Sequence, residues 1–473
     1  PLGNLLTQIE SPSQEKILLS SATALFLYRK AGQLPAQDSE LSITPCDLDD
    51  LPVCGERPSQ YLMAMLNGQR AEFLTEWLEA SAKSGKRAPD IALPQLLDLT
   101  KSKPDLRDAI IPVLGKRGQW LASQNPDWCF TNREDDQSLW QTGNRQARME
   151  LLTRLRKTNP ASARELLLST WAEETPDDRA SFLDTFEAGL SLEDEPLLEE
   201  ALDDRRKEVR RVAAELLSSL TGSQLTKRML ERVEPLLDFS PGQKGGLFSV
   251  NRGPKLNVKM PAECTKEMIR DGIEPKPIPG TGEKSWWLQQ MIGAIDPNYW
   301  CEKWNTTPSE LLDPIRKSEW KVPVMEGWTQ AAMRYKNAEW AEALVIARLS
   351  DKPRSDQRMI MDIIPPDRRE KLVQANLPSD FGLALLYQCT HRWSAGFSRA
   401  VLDVFVTRII KSSSWDRWQM MTVCEAFGRF MHPSIFPGAH SRLSHINNDF
   451  LWAAGISKFL DLLEFRHNML EAM

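Results

Sequence analysis

Apolar residues recur along most of this chain at the three- and four-residue spacing of one-sided helices. Leu166, Leu167 and Trp171 make one stripe, and Phe182, Leu183 and Phe186 make the next. Val209, Val212, Ala213, Leu216, Leu217 and Leu220 make a third, each at an interval that places side chains on a single helix face. Turn signals separate the stripes. Asn159-Pro160 and Thr175-Pro176 put a capping side chain just before a proline, which suits the first helical position because its missing N–H would go unbonded there anyway. Helix starts are therefore expected near residues 144, 160, 176, 194, 206 and 224. The acidic run Glu193, Asp194, Glu195 reads as a capped helix entrance.

The N-terminal part follows the same pattern less regularly, with helical stripes at 17–28, 61–66, 73–78, 93–99 and 106–114, and a Pro-, Asp- and Ser-rich loop expected over 31–58. Between 239 and 284 the composition changes to Gly, Pro and Lys, with a short alternating run at 255–260 that reads as a strand. Helical patterns resume at 286–295 and continue through 340–349, 356–364, 381–389, 398–411, 415–430 and 447–470. The expected organisation is an N-terminal helical-repeat domain over 1–238, a Gly/Pro/Lys-rich loop or linker over 239–284 and a C-terminal helical domain over 285–473. The opening Pro-Leu-Gly, with no initiator Met, reads as a protease-site scar and stands outside the fold reading.

Asp204, Val209, Arg210 and Ala213 fill the pattern D-x-x-x-x-V-R-x-x-A, which resembles the second-helix signature of HEAT-type repeats. Paired helices recurring at roughly 30 to 35 residues fall in the range of such arrays. The expected fold is all-α, a HEAT-like α-solenoid of helical hairpins with an irregular loop insertion.

Charge then limits the partners. A formal net charge of -6 argues against a generally basic surface seeking nucleic acid, so any basic site must be local. In DDRRKEVRR, residues 203–211, five basic residues stand against three acidic ones, a local charge of only +2. The run therefore reads first as an Asp–Arg ladder between repeats, with Arg205, Arg206 and Arg211 as candidate partner contacts. Sixteen tryptophans against five tyrosines read mainly as wide fillers between stacked helices. The exception expected at the surface is GKRGQWLASQNPDW, residues 115–128, where Lys116, Arg117, Trp120 and Trp128 combine cations with aromatic anchors.

Candidate chemistry adds little. The seven cysteines never occur as CxxC, which suits reduced thiols in a cytoplasmic protein. No stretch approaches about 18 continuous apolar residues, so no membrane span is expected. PGTGEKS, residues 279–285, has the glycines of a phosphate loop, but Glu283 precedes Lys284 and the upstream residues are not a strand, so it reads as a helix start. All five histidines follow residue 390. Cys389 and His391 at i and i+2 would point to different helix faces, and His432, His440 and His445 lack a companion carboxylate or thiolate motif. No catalytic residue, cofactor or metal site is assigned.

The stretches LLSSATALFLYRKAGQLP (18–35), VLGKRGQWLASQNPDW (113–128), STWAEETPDDRASFL (169–183) and DEPLLEEALDDRRKEVRRVAAELLSSLTGS (194–223) resemble a bacterial family known only as a domain of unknown function. The resemblance implies a helical fold rather than a reaction. Such families are typically encoded near a MoxR-type AAA+ ATPase, a von Willebrand factor A protein and a SWIM zinc-finger protein, which implies a non-enzymatic scaffold or adaptor with those proteins as partners. The alternative is a HEAT-like nucleic-acid-binding protein, related in fold to alkylpurine DNA glycosylases.

Overall fold

The computed structural model describes residues 13–31, 45–125, 128, 136–242, 253–348, 357–377, 379–411, 426–444 and 450–473. The described residues are mostly helical, with 71% helix and 3% strand, and the chain forms two compact units, Pro1–Cys129 and Phe130–Met473.

In the first unit, helices Glu56–Leu66, Leu74–Lys83, Leu93–Ser102 and Arg107–Gln124 bury Leu62, Trp77, Leu78, Leu96, Leu97, Val113 and Leu114. Trp77 spans this core and donates its indole N–H to the Pro58 carbonyl at 2.9 Å, so its one polar atom is satisfied. The last helix breaks its direction at Gly115, with φ 64° and ψ -174°. A side chain there would run into Asp49 and Arg87; glycine meets both the dihedral and the space.

In the second unit, helices start at Arg145, Pro160, Pro176, Glu195, Lys207 and Gln224, within a residue of the expected positions. The caps account for this agreement. Asn144, Asn159, Thr175 and Ser223 each accept a backbone N–H of the turn that follows. Ser191 and Asp194 close a capping box. Val209, Leu216 and Leu217 are buried, as the stripe requires.

The described part of 239–284 lies inside the second unit. Leu237–Ser240 pairs antiparallel with Lys255–Val258, Phe239 packs 5.7 Å from Trp304, and Leu256, Met268 and Ile273 are buried. The Gly, Pro and Lys composition conceals these anchors because they are too sparse to make a periodic stripe. The helix Glu283–Gly293 then begins where PGTGEKS was expected to start one.

Glu283–Gly293 and Lys321–Arg334 cross at short range, with glycine on each helix at the contact. A Cβ added at Gly327 would stand 2.7 Å from the Ile292 Cβ, and one added at Gly293 would stand 2.7 Å from Gln330 Oε1. Nearby, Trp300, Trp328, Trp340 and, further on, Trp393 are fully buried, with Trp328 and Trp340 rings 5.0 Å apart. Among the described residues the tryptophans are all buried or half-buried, as fillers between helices are.

Candidate functional site

Along the second unit, arginines reach carboxylates on neighbouring segments, before or after them in the chain. Arg148 binds Glu174 with its guanidinium 4.0 Å from the Trp140 ring centroid. Arg156 holds Asp194 at 3.0 and 2.7 Å and also donates to the Ala188 and Gly189 carbonyls. Arg164 adds a bond to the same Asp194 at 2.8 Å. Arg179 reaches Asp204 at 3.1 Å. Arg228 joins Glu199 at 3.0 Å to Asp271 at 2.7 Å; Arg232 also binds Asp271 at 2.7 Å, and Arg270 binds Asp203 at 2.8 Å. A planar guanidinium with several donors suits such multiple bridging.

These contacts decide ionisation. Burial opposes charge on Asp194, but the hydrogen bonds from Arg156 and Arg164 outweigh it and hold the carboxyl below its ordinary range. At Asp203 the hydrogen bond from Arg270 is the largest influence and also lowers the value. Beside the strands, burial and the carboxylate of Glu234 push the Tyr299 hydroxyl up to about 12.

DDRRKEVRR sits at the turn into Lys207–Ser218 and contributes to this ladder. Asp203 takes Arg270 and Asp204 takes Arg179. Arg210 departs from the expectation that a carboxylate holds it: it donates to the backbone carbonyl of Asp204 at 2.7 Å, because that carbonyl ends the preceding turn and the carboxylate is already engaged. Arg205, Arg206 and Arg211 are exposed. The backbone N–H of Arg206 donates to Asp204, and Arg211 forks onto Glu215 at 2.7 and 2.8 Å.

In the first unit, the expected surface cluster is tied to acids far away in sequence. The N–H groups of Lys116 and Arg117, exposed by the break at Gly115, donate to Asp49, so that carboxylate caps the second half of the helix. Lys116 Nζ binds Asp50 at 2.9 Å, a hydrogen bond that raises its pKa, and Arg117 pairs with Asp90. Trp120 and Trp128 are half-buried, and Trp128 donates to Asp98 at 2.8 Å. The two sets of candidate residues thus belong to different compact units.

Sequence reasoning missed a groove of about 750 Å³ between Asp136–Thr142, Arg145–Thr158 and Pro160–Thr170. Leu155 and Leu166 give it an apolar floor, and Asp136, Arg154, Thr158 and Glu165 line it with polar groups. The Asp136–Arg154 ion pair leaves Glu165 as the remaining charge of the lining. Such a groove can hold a chain segment by one apolar contact and several hydrogen bonds; no motif signals it, because its lining comes from three helices and follows no short spacing.

The described histidines form no metal cluster, although His440 and His467 both pack on Phe436. His391 lies between Arg369, 3.4 Å away, and Glu370, 3.3 Å away, and burial lowers its pKa. Burial pushes the Cys389 thiol up to about 12. His432 caps the turn at Ser434, and His440 packs on Phe436; His445 falls outside the described residues, as do Trp415 and Trp418. Among the described residues no group of three His, Cys, Asp or Glu is placed to hold a metal, and no helix is long and apolar enough to cross a membrane.

A comparison with curated proteins finds no match. One family model matches the chain from residue 1 to residue 473, and the protein therefore belongs to that family of unknown function, DUF5691.

Proposed function

We propose that this protein is a non-enzymatic, HEAT-like helical-repeat scaffold that binds protein partners. The observation that carries the reading is the arginine–carboxylate ladder from Arg148 to Asp271, which ties neighbouring segments together over residues 148–271 of the second unit. Ladders of this kind hold neighbouring repeats in register, leaving the outer faces of the helices for binding. They also keep arginines such as Arg156, Arg179, Arg228 and Arg232 on carboxylates, where they are not available to phosphates.

The partners that fit are a MoxR-type AAA+ ATPase and a von Willebrand factor A protein, with the Leu155–Leu166 groove receiving a segment of one of them. The test mixes this protein with each purified candidate and follows complex formation by gel filtration with light scattering. A stable complex weakened by the triple reversal of Arg205, Arg206 and Arg211 to Glu, or by Leu166→Asp in the groove, supports the reading. Salt-sensitive binding to duplex DNA or RNA with no protein complex would replace it by the nucleic-acid alternative.

A further inference from the structure

The helix Gln14–Ala31 differs from every other long helix described: its large apolar side chains face solvent. Leu18 is 73% exposed, Leu19 67%, Phe26 64% and Leu27 57%. Ser21, Ala24 and Leu25 are half-buried, so the opposite side, carrying Glu15, Leu19, Ala22, Phe26 and Lys30, is the open one. These five recur at three- and four-residue steps and form one stripe. An isolated helix of this length, ~27 Å, is marginal in water, and a contiguous exposed apolar face marks an interaction surface.

The order of residues on that stripe identifies what covers it. Around the midpoint between Ala22 and Thr23 the apolar pattern reads the same in both directions, with small residues at the centre, Leu19 and Phe26 next and Leu18 and Leu27 beside them, and the ends carry the opposite charges of Glu15 and Lys30. A surface that is its own complement under a two-fold rotation is what an isologous pair requires. We infer that this helix pairs antiparallel with the same helix of a second copy of this chain. Leu19 meets the partner's Phe26, the small residues Ala22 and Thr23 cross at the axis, and Glu15 faces the partner's Lys30 at both ends. An antiparallel arrangement also sets opposed helix dipoles side by side, whereas a parallel one would stack Arg29 and Lys30 against their own copies.

Sedimentation equilibrium over a low- to high-micromolar range tests this, since a single helix pair buries less than the ~1,600 Å² of a standard interface and calls for modest affinity. The wild type is expected to dimerise reversibly, and Leu19→Glu with Phe26→Glu to remain monomeric with an unchanged far-UV spectrum. Charge exchange reads the register independently of folding. Glu15→Lys alone and Lys30→Glu alone should each weaken self-association by about tenfold, as two attractive surface contacts become repulsive. Mixing the two variants should restore wild-type affinity as a heterodimer, because both end contacts are then attractive. A wild type that stays monomeric, a dimer that survives Leu19→Glu with Phe26→Glu, or a mixture no tighter than its components would each overturn the inference. Cosedimentation with anionic phospholipid vesicles by a monomeric wild type would assign the face to a membrane surface instead.

Discussion

Arg156 and Asp194 face each other across 38 residues of chain and share two hydrogen bonds with both side chains sealed from solvent. Arg164 shares the same carboxylate, and Asp194 also accepts the N–H of Ser191 in the capping box. One side chain thus closes a helix entrance and ties three segments together.

Removing Asp194 strands Arg156 in a dry site, whereas removing Arg156 leaves the carboxylate its bond from Arg164. Asp194→Ala is therefore expected to cost about 3–5 kcal/mol and Arg156→Ala less, while Arg156→Met combined with Asp194→Leu should recover part of the Asp194→Ala loss. Urea unfolding followed by fluorescence measures both, and equal stability of the double and single variants would show the pair is not acting as a unit.

The same carboxylate sets an acid limb. Its folded pKa lies below the ordinary 3.8, so its contribution is fully present above that value and is lost as pH falls through the folded one. Stability measured from pH 7 down to pH 3 should therefore drop more steeply for the wild type than for Asp194→Asn, which has no proton to take up. Parallel curves would place the acid sensitivity elsewhere.

Leu216 and Leu217 test the placement of the Lys207–Ser218 helix. Leu217 is fully buried and Leu216 nearly so, so Leu217→Ala should destabilise by about 2–5 kcal/mol as large-to-small core changes do. An unchanged unfolding midpoint would mean the helix presents another face to the core.

Gly327 reverses an ordinary rule. In an exposed helix interior, Gly→Ala usually stabilises by roughly 0.5–1 kcal/mol, but here the new methyl meets Ile292 at 2.7 Å. Gly327→Ala is expected to lower stability by about 1–3 kcal/mol, and adding Ile292→Val, which removes only the distant Cδ1, should not relieve it, because the contacts are with the Ile292 Cβ and Cγ2 and the Gln289 carbonyl. A gain in the single variant would show that the two helices stand further apart.

The basic run is expected to be silent toward nucleic acid. Fluorescence anisotropy with labelled duplex DNA and with RNA should show no binding for the wild type or for the triple reversal of Arg205, Arg206 and Arg211 to Glu. If the wild type bound with a slope of log K against log salt of about -0.9 per phosphate and the reversal removed it, the ladder would not be the main use of these residues.

What could be read in the sequence was local. Asn159-Pro160 and Thr175-Pro176 give helix starts because cap and proline act within one turn, and Val209 to Leu220 gives a buried face because periodicity is a property of a single helix. The Lys321–Arg334 helix is not legible, since Pro323 and Gly327 interrupt its pattern and its fit depends on a neighbour some forty residues earlier. Asp49 capping Lys116 across 67 residues, Arg156 binding Asp194 and the Leu155–Leu166 groove are equally hidden. Each exists only once distant segments have met.

Asp271 closes the far end of the ladder. It is nearly inaccessible and takes charge from Arg228, Arg232 and Arg270, while Glu199 and Asp203 take the donors that remain. Three cations and three carboxylates cancel within a few ångströms, so this stretch projects little field beyond the ~8 Å screening distance of physiological salt. A molecule approaching it gains no electrostatic steering. Encounters there should proceed at the unassisted rate and change little with ionic strength, leaving recognition to the shape of the helix faces and to how long a complex lasts once formed.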